Sequence, residues 1–384
     1  MNWNYGLELA RCIAIVLVLI SHGIHLLFNA DGGVGPIIQS VFYSFFKPGW
    51  WGVRIFFALS GYLIGNQAIK ILNRSNFRDA IRFTLRRWLR TIPTYWIILL
   101  TACIINGISL TSWQAISNSL FLQTINPEVA SNSSILPVSW SLAIEEWSYL
   151  IVSAVLISLT FKRSKSKSNK SPTNGARKIL SVAIFLCSLA MTLRADWSLT
   201  SQFDWGALKK TAPLQLDSLS AGLALASFQS LRPKAFTRLT NNPSTIFTIT
   251  ITLMSVTGFA INRNYIGVDE VNTTTSLVLS IIIYPISSIL SALFLLSLWS
   301  YKPVKPNSPQ QKLISGAATV SYSLYMTHLW ALDITAKAIQ TQNPYILFSS
   351  YIILSFAIGW LCWIIAELPF LKARDALRNI NKSA

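Results

Sequence analysis

Hydrophobic residues recur along this chain in runs of 17 to 25, the length a helix needs to cross a hydrocarbon layer. Short polar stretches separate the runs. The pattern predicts ten spans, over 7–27, 50–69, 91–107, 139–161, 178–194, 212–231, 244–262, 275–299, 313–336 and 345–369. Between the third and fourth, Leu110, Trp113, Ile116, Leu120 and Phe121 repeat at helical spacing, which predicts an interfacial or re-entrant helix over the bundle. The expected fold class is an all-α polytopic membrane protein of about ten transmembrane helices, forming one transmembrane domain over 1–384. The start of the chain, Met1-Asn2-Trp3-Asn4, is too polar and too uncharged for a cleaved leader, so the first helix is expected to be retained.

Composition agrees with that class: 52% of residues are hydrophobic and 12% charged. The net charge of +18 invites a nucleic-acid partner, but the placement of the charges argues against one. Loops after even-numbered spans, with the C-terminal tail, hold 24 of the 32 Lys and Arg residues, whereas 107–138 contains none. This alternation is the positive-inside pattern, and it predicts that both termini are cytoplasmic, with membrane lipids as partners of the basic loops. Residues 162–178 read as a flexible basic cytoplasmic loop. The four cysteines all fall inside predicted spans without short spacing, which suggests neither a disulfide framework nor a zinc site, and no metal is expected.

Ionisable groups stranded at membrane depth are costly and usually face a bundle interior, so they are the best guides to chemistry. Arg11 and His22 lie eleven residues apart with no charge from 12 to 21 between them, close to three turns, and so share one stripe roughly 16 Å long. Glu8, one turn before Arg11, joins it as a prospective counter-ion. Histidine titrates near neutrality, and His22 is the candidate general base. Its tautomer needs a carboxylate or carbonyl partner, for which Glu145 is a candidate across helices. His25 is expected at the outer mouth. Arg82, Arg86 and Arg90 repeat at i, i+4 and i+8 beside Arg87, a cationic ridge whose guanidinium forks suit phosphate oxygens. Coenzyme A, with its pyrophosphate, 3′-phosphate and adenine, would match such a ridge. At the outer start of the fourth span, Trp140, Glu145, Glu146 and Trp147 put two adjacent carboxylates among tryptophans, which an aromatic belt alone does not explain. Ser60 and Gly61 read as residues that let helices approach closely.

These elements resemble acyltransferase family 3, integral membrane acyl-CoA-dependent O-acyltransferases of bacterial surface glycans. The resemblance covers most of the chain. It rests on Arg11 and His22 with ten residues between them, preceded by Glu8, and on Phe56-Phe57-Ala58-Leu59-Ser60-Gly61. The arginine run Arg87, Arg90, Pro93, Tyr95, the element Trp140-Ser141-Leu142 with Glu145, the segment Tyr322 to His328, and Glu367-Leu368-Pro369-Phe370 follow in the family's order. One position departs: where the family usually carries an acid before the paired phenylalanines, this chain has Arg54, which favours an anionic acceptor at the outer mouth or signals altered activity.

The resemblance implies an acyl-CoA donor, acetyl-CoA by default, arriving from the cytoplasm, and a glycan or glycolipid hydroxyl arriving from the outer side of a bacterial inner membrane. His22 would then act with Glu145, Arg11 and Glu8. Arg82, Arg86, Arg87, Arg90, Tyr95 and His328 would bind the donor, and Trp140, Glu146, His25, Arg54 and Trp50 the acceptor. Direct transfer and a relayed acyl-enzyme fit equally, and a homodimer is compatible with the chain. A secondary transporter with an intramembrane proton relay, or a non-catalytic glycan-assembly subunit, are the rival readings.

Overall fold

The computed structural model describes residues 4–28, 48–74, 76–126, 135–164, 173–200, 204–265, 273–303, 305–341 and 343–379. The central part of the predicted 162–178 loop, residues 165–172, lies outside them. The described residues form helices and no strand. In chain order the helices are α1 Tyr5–Gly23, α2 His25–Phe28, α3 Pro48–Arg74, α4 Phe77–Ile105, α5 Trp113–Ser119, α6 Ser139–Ser164, α7 Asn174–Thr200, α8 Trp205–Lys210, α9 Ser220–Leu231, α10 Pro233–Thr240, α11 Pro243–Tyr265, α12 Thr273–Leu298, α13 Pro309–Ala338, α14 Pro344–Cys362 and α15 Leu368–Asn379. A π-helical turn, Trp363–Glu367, joins the last two. Side-chain caps set several starts: Asn4, Asn76, Asp204, Ser308 and Asn343 each accept a backbone N–H of the first turn.

Eight of these helical stretches are long and apolar enough to cross a membrane, which makes this a multi-pass membrane protein. Two of the ten expected spans look different. Residues 212–231 do not form one helix: α8, a 3₁₀ turn Pro213–Gln215 and α9 follow one another, and α9 alone has 12 residues. At 1.5 Å per residue α9 reaches only about 18 Å, short of the ~30 Å hydrocarbon core. Residues 313–336 do form a helix, the 30-residue α13, but its buried face carries Ser321, Ser323, Thr327, His328 and Thr335. Those polar groups face protein rather than lipid, because α13 packs against α14 and α1.

The centre of the bundle is α3, in contact with α1, α9, α12 and α7. Its approach to α9 is backbone on backbone. A Cβ on Gly61 would run into the Leu219 carbonyl, and one on Gly222 into the Ala58 carbonyl. A short helix does form between the third and fourth spans, α5, and Leu110, Trp113, Ile116 and Leu120 on and around it are exposed. Phe121 departs from that apolar surface: it adopts a left-handed conformation (φ 59°), turns inward and stacks on Tyr95. All four cysteines are free.

The α3–α9 contact predicts that Gly61→Ala lowers stability by about 1–3 kcal/mol, since the new methyl meets backbone that cannot swing aside. Gly316→Ala on α13, where a Cβ meets open space, is the matched control and should lose nothing. Thermal midpoints of the two variants in detergent decide the point.

Candidate active site

His22 near the end of α1 and His328 on α13 meet inside the bundle, with ring centroids 4.9 Å apart and planes tilted by 56°. His328 Nδ1 lies 2.7 Å from the Tyr325 carbonyl oxygen. A carbonyl only accepts, so this nitrogen carries the proton and His328 Nε2 presents a lone pair. That lone pair lies 3.3 Å from His22 Nδ1, which is also 3.0 Å from the Val18 carbonyl. Both neighbours of His22 Nδ1 are acceptors, so it is the protonated nitrogen and donates to them. The remaining nitrogen, His22 Nε2, is left with its lone pair and makes no hydrogen bond among the described residues. Two backbone carbonyls thus set the tautomers of both rings, and the second ring relays the constraint to the first.

Tyr325 connects this pair to an internal slot. Its ring lies 5.8 Å from the His328 ring, and its hydroxyl meets Ser141 Oγ at 2.7 Å. The slot is lined by Arg11 of α1, Ser60 of α3, Arg87 and Arg90 of α4, Ser141 and Glu145 of α6, and Tyr322 and Tyr325 of α13. One carboxylate organises it. Glu145 accepts a hydrogen bond from Ser60 Oγ and an ion pair from Arg87 Nη2 at 3.0 Å. Tyr149 donates to Ser60 Oγ at 2.9 Å, and its ring lies 4.1 Å beneath the Arg87 guanidinium. Neighbouring residues on a helix diverge by about 100°, so Glu146 points elsewhere. It is buried between α6 and α4, where Thr91 donates to it at 2.7 Å. Lower on α13, Ser323 donates at 2.6 Å to Glu367 of the π-helical turn.

Several residues sit where the sequence did not suggest. Glu145 engages Arg87 and Ser60, so it does not set the His22 tautomer. Ser60 belongs to that polar cluster besides lying beside the α3–α9 contact. Glu8 does not pair with Arg11 within 4 Å among the described residues; it accepts from Ser315 Oγ at 2.6 Å instead. His328, grouped above with donor-binding residues, stands against His22. Of the arginine ridge only Arg87 and Arg90 line the slot, while Arg82 is exposed and reaches Asp79 at 3.9 Å, and Arg86 is half-buried outside it. Tyr95 is fully buried, donating to the Asn118 carbonyl at 2.9 Å, and does not line the slot.

Arg54, expected at an outer mouth, is 3% exposed. Its guanidinium lies over the rings of Trp50 and Tyr284 at 4.4 and 4.6 Å and donates to Gln215 and Ser218 at 2.7 and 3.2 Å. Trp50 is enclosed with it. Trp140 and His25 are half-buried, and the Lys209 ammonium lies 4.9 Å from the Trp140 ring centroid.

A second buried cluster joins Asp217, a polar group stranded in a predicted span, to an arginine that the sequence did not single out. Arg194 of α7 and Asp217, both essentially unexposed, form a two-pronged pair at 2.7 and 3.0 Å, and Arg194 also donates to the Leu214 carbonyl at 2.6 Å. Together with Arg54 this pair pins the broken 204–219 segment onto α3 and α7. The signal was a lone arginine at the end of one apolar run and a lone aspartate in the next.

A bundle of long apolar helices with imidazoles, arginines and carboxylates turned inward defines a multi-pass membrane protein. The chain belongs to the Acyl_transf_3 family: the model of this acyltransferase domain matches residues 4–365. It is also similar to the peptidoglycan O-acetyltransferase OatA of Listeria monocytogenes serovar 1/2a (strain ATCC BAA-679 / EGD-e), with 30% identity over 138 residues. That similarity takes in 32% of this chain and 22% of the relative, so it spans under a quarter of the curated protein. No solved structure matches the chain.

The Arg194–Asp217 pair yields a stability prediction. Asp217→Asn leaves a buried guanidinium without its counter-charge and should cost about 3–5 kcal/mol. The apolar double variant Arg194→Met with Asp217→Leu should recover most of that loss. Unfolding midpoints of the purified protein, compared as a double-mutant cycle, measure the coupling.

Proposed function

We propose that the protein is an acyl-CoA-dependent O-acyltransferase. It moves an acyl group, acetyl by family resemblance, from a cytoplasmic donor to a hydroxyl of a cell-envelope glycan on the outer side of a bacterial inner membrane. Family membership supports the reaction class, and the similarity to a peptidoglycan O-acetyltransferase supports a surface glycan as acceptor. The observation that carries the reading is the unengaged Nε2 of His22, linked through His328 and Tyr325 to a slot holding Arg11, Arg87 and Arg90.

In this mechanism His22 Nε2 takes the proton of the acceptor hydroxyl as its oxygen attacks the thioester carbonyl. The tetrahedral intermediate then collapses, the carbon–sulfur bond breaks, and the same proton passes from Nε2 to the departing thiolate. General-base help of this kind is worth on the order of 10²–10⁴ in rate. The imidazolium that forms between the two proton transfers is stabilised at Nδ1–H by the Val18 carbonyl and His328 Nε2. The arginines of the slot meet donor phosphates, and the Glu145–Ser60–Tyr149 cluster fixes the plane of the Arg87 fork for that contact. Trp140 and Lys209 offer an aromatic face and a cation on the acceptor side. The alternating basic loops support the direction of transfer.

His22→Ala should reduce acyl transfer by at least about 10²-fold while the protein still inserts, read as free thiol released from acyl-CoA in the presence of acceptor. Turnover at the wild-type rate in that variant would sink the mechanism. Arg90→Ala should raise the apparent KM for the donor and leave that for the acceptor unchanged.

A further inference from the structure

Eight of the 32 Lys and Arg residues lie outside the basic loops and tail, and three of them, Arg11, Arg54 and Arg194, are turned into the bundle. Of the other five, two are adjacent, Lys209 and Lys210 at the end of α8. Their place is opposite the basic loops. The 162–178 loop joins α6 to α7 at one end, while Trp140 opens α6 at its other end and α8 follows the far end of α7. With 27 residues α7 is about 40 Å long, so Lys209 and Trp140 stand a full span from that loop. Cations are disfavoured on this side, and a pair of them there needs a local reason.

Lys209 is firmly placed. Its ammonium is 4.9 Å from the Trp140 ring centroid, and a neutral ring orients a cation without cancelling its charge. The backbone beneath it is tied on two sides. Gln215 Nε2 donates to the Leu208 carbonyl at 2.9 Å, and the Ala212 N–H donates to the Thr124 carbonyl at 2.6 Å. Gln215 is in turn held by Arg54. Trp140 is followed by Ser141, whose hydroxyl meets Tyr325, the ring that stands against His328. The cation is thus attached to the wall that carries the histidine pair.

We propose that Lys209 binds a carboxylate on the acceptor sugar, so that the protein acylates an acidic glycan in preference to a neutral one. The assignment rests on the acceptor reading above and deepens it. In the tautomer fixed by its neighbours, His22 is neutral and offers the acceptor no charge to bind. Lys209 supplies that charge, and a sugar held at its carboxylate can turn a hydroxyl towards the imidazole. A lone ammonium is a point charge that matches a monoanion, whereas guanidinium forks like those of the slot suit phosphates. Lys210 does not share the task, because neighbouring residues on a helix diverge by about 100°. Arg54 acts one step back, as a positioning residue working through Gln215 on the backbone that carries Lys209.

The test measures free thiol released from acetyl-CoA by the purified full-length protein in nanodiscs. The acceptors are muramyl, galacturonyl and N-acetylneuraminyl oligosaccharides, each offered as the free acid and as its carboxamide. Wild type should acylate at least one free acid with an acceptor KM about tenfold to hundredfold below that of the matching amide. Lys209→Gln should raise the KM for the acid to that of the amide and leave kcat and the donor KM unchanged. Lys209→Arg, which keeps the charge, should keep the preference. Lys210→Gln controls for diffuse positive charge and should keep it too. Equal KM values for acid and amide in wild type, a preference retained in Lys209→Gln, or an equal loss in Lys210→Gln overturns the subsite and leaves acyl transfer standing. If no sugar in either form drives thiol release by the folded wild-type protein, the acceptor reading itself fails and the subsite goes with it.

Discussion

At the depth of the apolar helices there is no bulk water to satisfy a polar side chain, so each must find its partner within the bundle. The arrangement of this protein follows from that constraint. Arg194 takes Asp217, Arg54 takes Gln215, Ser218 and two aromatic faces, Glu145 takes Arg87 and Ser60, and Glu367 takes Ser323. Each pairing ties together two different elements, 23 positions apart for Arg194 and Asp217 and 161 for Arg54 and Gln215, and together they fix how the helices sit. The histidine pair obeys the same rule with a different result. Two carbonyls consume the Nδ1 protons, and one nitrogen of four is left over.

The division between structural and chemical polar groups is sharp even within one short motif. In Phe56-Phe57-Ala58-Leu59-Ser60-Gly61, Gly61 lets α3 lie against α9, while Ser60 one residue earlier turns to Glu145 and Tyr149. Adjacent residues on a helix face different neighbours, so a motif read as a unit hides two separate duties. The same holds for Glu145 and Glu146. One faces the slot with its arginine, and the other is spent on holding α6 to α4 through Thr91.

Which residues leave the lipid was legible from sequence, because an ionisable group in an apolar run has few ways to be accommodated. Which partner each finds was not. His22 and His328 are 306 positions apart, and no periodicity links them. Arg54 and Trp50 read as an outer mouth because they open a span, yet the broken 204–219 segment folds back over them. Hydropathy treats 212–231 as a continuous run, since Leu214, Leu216, Leu219 and Leu223 keep its average high while Pro213 interrupts its hydrogen bonding. Helix α13 shows the reverse. It is regular over 30 residues, but the serines, threonines and histidine it turns to α1 and α14 dilute its apolar signal.

The π-helical turn at Trp363–Glu367 stands just ahead of Pro369, a residue with no N–H to return to the carbonyl four positions earlier. A widened turn carries one residue more than an α-helical one over the same rise. The turn absorbs that extra residue, so the helices on either side of it keep their phase. The regular part of α14 has no such slack: a deletion there would rotate everything downstream by about 100° and carry Glu367 away from Ser323. The spacing between the last apolar helix and its closing acid is therefore a matter of phase.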